Sequence, residues 1–190
     1  MSVPQLTRLI VMRPISEVAD QELLWVQPAA LKRAHELRAG DQVVATLAFQ
    51  RGSLADAVAA DNHWTFKREG FWHPRVTVRI AGADTDVATF RPRWMGGGTL
   101  ELPGGKTIDL SPANLWQTQW AWKEGDSTPV IFKSRHGLMK SGAEVDVAKD
   151  GMNRPDLPLL VLLGYYLILL YAQDVAAASA ASVTVISTSG

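Results

Sequence analysis

The chain has 190 residues, enough for one domain with a sizeable core. Lysine plus arginine and aspartate plus glutamate both number 19, so the formal net charge is zero, which argues against a dedicated nucleic-acid binder. With no cysteine there are no disulfides, thiolate nucleophiles or Cys-ligated metals, and this fits a reducing compartment.

The N-terminal segment does not read as a signal peptide. Its apolar run, Leu9 to Met12, stops at Arg13-Pro14, short of an h-region of about 7–15 residues. A cytoplasmic location is therefore expected unless the late apolar stretch anchors the chain. From about Gln21 to Val147 short segments alternate apolar and polar residues, with Gly, Pro, Asp and Asn between them. Tight hairpins are expected at Gly40-Asp41 and at Pro103-Gly104-Gly105. In "VVATLAFQ", Val43, Ala45, Leu47 and Phe49 share one face. "GSLADAVAADN" reads as a loop with one helical turn. In "RVTVRI", Val76, Val78 and Ile80 face one way, and Arg75, Thr77 and Arg79 the other. In "WQTQWAWK", Trp116, Thr118, Trp120 and Trp122 fall on one side, which reads as interior rather than as an exposed platform for sugars or bases. Roughly ten or eleven strands precede the apolar stretch, at the spacing of a sandwich or barrel.

"PDLPLLVLLGYYLILLYAQD" is the most apolar part of the chain. Asp156 can cap a helix, with Pro158 in its first turn. At about 1.5 Å per residue the run from Leu157 to Ala172 covers roughly 24 Å, short of the ~30 Å hydrocarbon core of a bilayer. Lengthening it buries Asp174, at about 2.5–3.5 kcal/mol near mid-bilayer. Tyr165 and Tyr166 sit at the centre of the run, whereas a spanning helix prefers tyrosine at its ends. Against this, no Lys or Arg follows Arg154, as in a tail anchor. A helix apolar all round must be surrounded on every side. A large barrel with the helix through its lumen provides that. A tail anchor and a surface-packed helix are the alternatives. After Asp174 the chain turns Ala/Ser-rich, and "VTVIST" reads as a last short strand.

The order of "LRAGDQVVATL", "HWTFKREG", "RVTVRIAG", "DVATF", "GGGTLELPGG", "WQTQWAWKEG" and "DLPLLVLLGYYLILL" resembles the tubby C-terminal-like superfamily, especially its LURP-one-related branch and more distantly the phospholipid scramblases. The resemblance spans about Leu23 to Tyr171 and rests on order and pattern rather than on a signature motif. It implies a mainly β fold, a closed barrel of about twelve strands enclosing a central hydrophobic C-terminal α-helix at about 157–174. The whole chain is then one domain, with its core at about residues 21–188. Residues 1–20 and the tail match nothing in the family pattern.

No catalytic motif survives inspection, so no enzyme and no cofactor are expected. "PGGKT" lacks the first glycine of a P-loop, Leu100 standing there, and reads as a hairpin turn. His35, His63, His73 and His136 form no i, i+4 pair and read as surface or turn residues; no metal is expected. No G-x-S-x-G elbow is present. In "VIFKSRHGLMK", Phe132 points inward, so Lys133 and Arg135 point outward, with Lys140 after the next turn; Arg75 and Arg79 form a second outward pair. Such cations are usually solvated surface, but they are also the candidates for binding an anionic headgroup. The expected function is a non-enzymatic binding or scaffolding module. Its partners would be anionic phospholipid headgroups, phosphoinositides among them, or a protein docking on the outer barrel surface. Membrane association would be at most peripheral, with no nucleic acid. A tail-anchored or scramblase-like membrane protein is the alternative.

Overall fold

The structure, a computed structural model, describes residues 12–29, 33–60, 62–94, 96–137 and 140–186. Its wall is β1 (Leu23–Val26), β2 (Ala34–Ala39), β3 (Gln42–Phe49), β4 (Ala55–Ala59), β5 (Asn62–Glu69) and β6 (Arg75–Ile80). It continues with β7 (Asp86–Pro92), β8 (Gly98–Glu101), β9 (Thr107–Pro112), β10 (Gln119–Glu124), β11 (Ser127–Gly137) and β12 (Lys140–Val147). Each strand pairs antiparallel with its neighbours in sequence, and β1 pairs with β12, Leu23 opposite Val145, to close the barrel. A short helix, α1 (Lys149–Met152), leads to α2 (Leu157–Ile186), which runs through the lumen.

Alternation builds the wall. Leu37 and Ala39 of β2, Leu47 and Phe49 of β3, and Val130 and Phe132 of β11 point inward and are buried. Both expected hairpins form: Ala39 pairs with Gln42 around Gly40 (φ 57°), and Pro103–Gly105 is a 3-10 turn between β8 and β9.

Several expectations need correction. "GSLADAVAADN" is not a loop with a helical turn but contains β4, whose inward residues Ala55, Ala57 and Ala59 are buried. In β3, Val44 rather than Val43 is buried, because the pairing with β2 slips there: Arg38 lies opposite Val43 and Leu37 opposite Ala45. In β6, Thr77 is buried and its hydroxyl donates to Lys67 O (3.3 Å), while Ile80 is exposed. The pairing of β6 with β7 shifts between Val78 and Arg79, and the strand end turns outward there. Trp120 and Trp122 are interior as expected, but Trp116 is not. It precedes β10, in a turn held by Asn114 Oδ1, which accepts the N–H groups of Thr118 and Gln119. The expected last strand in "VTVIST" is corrected for Val183 to Ile186, which belong to α2, no Gly or Pro interrupting the helix after Gly164; Ser187 and Thr188 lie outside the described residues.

Within the lumen Leu157, Leu160–Leu163 and Tyr166 are fully buried, on every side of α2. Trp25 stacks on Tyr165 with ring centroids 4.5 Å apart, and Tyr166 lies between Phe49 and Phe66. Trp122 Nε1 donates to the Leu160 carbonyl at 2.8 Å. The indole gets that close because Gly164 has no side chain: a Cβ there would lie 2.7 Å from Trp122 Nε1 and 2.5 Å from the Phe132 ring.

The end of the barrel where α2 begins, here the near end, is closed by ion pairs and by Ile15 and Val18, buried beside a 3-10 turn that packs on α2. Arg154 donates to Asp156 (2.9 Å) and to Glu124 (2.6 Å), and Lys106 donates to Asp156 (3.1 Å). The Asp156 carboxylate serves these cations rather than capping α2, whose first turn its backbone carbonyl joins by accepting Leu160 N–H. Burial raises the carboxyl's pKa, but the hydrogen bonds from Arg154 and Lys106 outweigh it and hold the group below its usual range.

His35 is a further correction, since it is buried in the wall rather than at the surface. Its Nδ1 lies 3.1 Å from the Tyr165 hydroxyl, which donates to it when the ring proton is on Nε2. Burial pulls the imidazole down from its ordinary 6.5 to about 4. The unfolded chain therefore takes up a proton near pH 6.5 and the folded chain only near 4. The stability conferred by the neutral ring is complete above about pH 6.5 and is lost as pH falls towards 4, by about 3 kcal/mol at most. Urea unfolding at pH 7 and 4.5 should show this slope, and His35→Gln should flatten it; an equal slope in both proteins would refute the assignment.

Candidate functional site

The expected outward cations do not form one site. Lys133 and Arg135 of β11 point outward as expected, but on a barrel of twelve strands β11 is five strands from β6, which carries Arg75 and Arg79. Each is also occupied. Lys133 is paired with Asp146, whose carboxylate raises the ammonium's pKa, and Arg135 with Glu22 (2.8 Å) and Glu144 (3.4 Å). Arg79 is paired with Asp86 (2.6 Å) and Arg75 with Glu69 (3.7 Å). Lys140 begins β12, and its side chain lies outside the described ones. His63 and His73 sit at opposite ends of the β5–β6 hairpin, in which Glu69 pairs with Arg75 and the His63 carbonyl accepts Ala81 N–H. Among the described residues there is no cluster of three or more His, Asp or Glu able to hold a metal.

What topology does bring together lies at the far end, where α2 emerges. There Tyr166 Oη donates to Ser53 O (2.6 Å), Tyr171 Oη to Gln117 Oε1 (2.5 Å), and Arg68 Nη1 to both carboxylate oxygens of Asp174 (2.7 and 2.9 Å). Because the barrel is a simple meander, alternate connections share an end. The far-end connections β5–β6, β7–β8 and β9–β10 carry Phe71 and Trp72, Trp94, and Leu115 and Trp116. All five are 85–100% exposed. Val175, on the emerging helix, is half exposed; Ile80 alone of the exposed large apolar side chains among the described residues sits elsewhere.

Charge follows the same polarity. Among the described residues, the far-end connections contain no Asp or Glu and carry Arg33, Arg51 and Arg93. The near-end connections carry Asp41, Asp84, Asp126, Asp150 and Asp156 against Lys106, Lys149 and Arg154, an acidic excess among the described residues. The acids bordering the far end, Glu69 and Asp174, are held by Lys67 and Arg68. Beyond Asp174 the helix has no charged residue through Ile186, a projection of about 18 Å, and its described side chains to Ala180 are exposed.

Beside the emerging helix the far end holds a cavity of about 410 Å³. Val76, Phe90, Trp120, Leu167, Leu170 and Tyr171 line its floor and walls. Arg68, Arg93 and Asp174 edge it, and Trp94 stands at its lip. Sequence reading missed this face because which connections share an end depends on the number and order of strands, and β4 was not recognised as one.

The chain matches no family model, and no curated protein or solved structure is similar enough to carry an argument.

Proposed function

We propose that the protein is a non-enzymatic docking module of the tubby-like kind that binds peripherally to an anionic membrane surface through the far end of its barrel. The observation that carries this is the joint polarity of the molecule: exposed aromatic and arginine side chains without acids on the connections at one end, an excess of aspartates over basic residues at the other. Tryptophan and phenylalanine on loop tips suit the headgroup level of a bilayer, where an apolar body and a polar environment are both met. The far-end arginines, Arg93 while also paired with Asp109 on the outer wall, are drawn to an anionic leaflet, and the near end, where aspartates outnumber basic residues, points away from it. The uncharged outer part of α2 then points into the lipid. The inner part is already solvated by protein, as most of its side chains from Leu157 to Leu170 are buried inside the barrel. That supports a peripheral mode over a spanning one. The barrel around a central apolar helix is also what the tubby-like resemblance implies, and it supports that kinship as a proposal.

Flotation with vesicles tests the reading. The intact protein should rise with phosphatidylcholine vesicles containing phosphatidylglycerol, more weakly without it, and less at high salt. Withholding roughly 80 Å² of ring surface from the interface is worth about 2 kcal/mol, so Trp94→Ser with Trp116→Ser should weaken partitioning by roughly thirtyfold or more. Both rings are exposed and contribute no core packing, so stability should not change. Equal flotation of the double variant and the wild type would refute the proposal.

A further inference from the structure

We infer that the cavity at the far end is a binding site for a single-chain anionic amphiphile, its alkyl chain lying against α2 and its acidic head at Arg68 and Arg93. This goes beyond membrane docking and does not require it, since the ligand can be offered in solution.

The cavity interrupts an interior that is otherwise close-packed. Around the near half of α2, Leu157 and Leu159–Leu163 are buried; on the β6–β10 side of the far half, Val76 and Phe90 line a cleft opposite Leu167 and Leu170, and the edge contact of Trp120 with Tyr171 (ring centroids 5.1 Å apart) forms its inner wall. An apolar space of this kind holds water poorly and hydrocarbon well. Its volume, about 410 Å³, lies in the range of small-molecule sites. A methylene fills much the same volume as a water molecule's share of the liquid, roughly 30 Å³, so the space suits a chain of about ten to fourteen carbons.

The rim sets the head. Among the residues that edge the cavity, two arginines stand against one aspartate, a net positive mouth over an apolar floor. Arg93 donates to Gly98 O (3.3 Å) and pairs with Asp109 (3.2 Å) on the outer wall, with half its side chain still exposed. Arg68 is held by Asp174, the last charged residue of α2 and itself part of the rim. A guanidinium has five N–H donors, so Arg68 and Arg93 can each receive a further carboxylate or phosphate oxygen while keeping their present partners. Trp94, wholly exposed at the lip, is placed to cover the first methylenes of a bound chain.

The test uses the full chain without vesicles. Displacement of a fluorescent alkyl probe should show saturable binding of dodecanoate below its micellar range. Affinity should rise from octanoate to dodecanoate and level off by hexadecanoate, because the cavity is then full. An affinity that keeps rising with chain length, or no saturation, would overturn the site. Leu170→Trp, which fills the cavity, should weaken dodecanoate at least tenfold, while Leu115→Ser, on the rim but outside the cavity, should leave it unchanged. Arg93→Gln should weaken dodecanoate several-fold and leave dodecanol unchanged; equal losses for both would overturn the assignment of the head. The lysophosphatidylglycerol with the same acyl chain identifies the source: tighter binding than dodecanoate assigns a membrane-derived ligand, weaker binding a free acid. If neither binds, the inference fails while the flotation result stands by itself.

Discussion

A chain ending at Met152 should not fold. The wall would be complete, but ten buried helix side chains, from Leu157 to Leu170, would be missing from its lumen. At about 1.5–3 kcal/mol for each large apolar side chain, the loss exceeds the 5–15 kcal/mol that holds an ordinary domain together. The cavity left behind adds to the loss, because a wall of hydrogen-bonded strands cannot collapse far enough to fill it. The shortened chain should show no cooperative thermal transition, should bind hydrophobic dyes and should aggregate. A soluble remainder with native near-ultraviolet dichroism would mean that the barrel stands without its helix.

Gly164→Ala should destabilise the protein by about 1–3 kcal/mol. Local propensity gives the opposite sign, since alanine in a helix interior is favoured over glycine by about 1 kcal/mol. Packing wins here because the added carbon would sit 2.5 Å from the Phe132 ring and 2.7 Å from Trp122 Nε1, and both rings are locked in the wall. Relief requires the indole to withdraw, which stretches its hydrogen bond to the Leu160 carbonyl. The midpoint of thermal unfolding should fall by several degrees. A neutral or raised midpoint would show that the rings yield at no cost and that the close approach is not needed.

How far these features could be read from sequence depended on where the chemistry of a strand departs from its side-chain period. Leu47 and Phe49, Trp120 and Trp122, and Val130 and Phe132 alternate with polar neighbours and declared their faces. The helix declared itself through the absence of any polar face from Leu157 to Ala172. β4 stayed hidden because its inward residues are alanines, which signal helix as readily as strand, and small side chains suit a wall that faces Tyr166 and its aromatic neighbours. Val44 and Ile80 were misplaced where pairing slips, a property of two strands that neither reveals alone. Trp116 was misplaced because an Asn114-centred turn delays the start of β10. The outward direction of Lys133 and Arg135 was legible, but their carboxylate partners, on β12 and before β1, were not. The far-end face was the least legible feature. Phe71, Trp72, Trp94 and Trp116 look like isolated loop residues until the closed meander places their loops side by side.

The plug follows all twelve strands in the chain, and the wall closes by joining β1 to β12. During synthesis on the ribosome, every strand therefore emerges before the segment that fills the space between them. A nascent chain that has completed β12 exposes its inward faces to solvent until α2 has cleared the exit tunnel. Ring closure between distant partners is itself slow. Such a protein should depend heavily on chaperones while it is being made, and a stalled ribosome within α2 should leave a product that proteases remove rather than a shorter functional form.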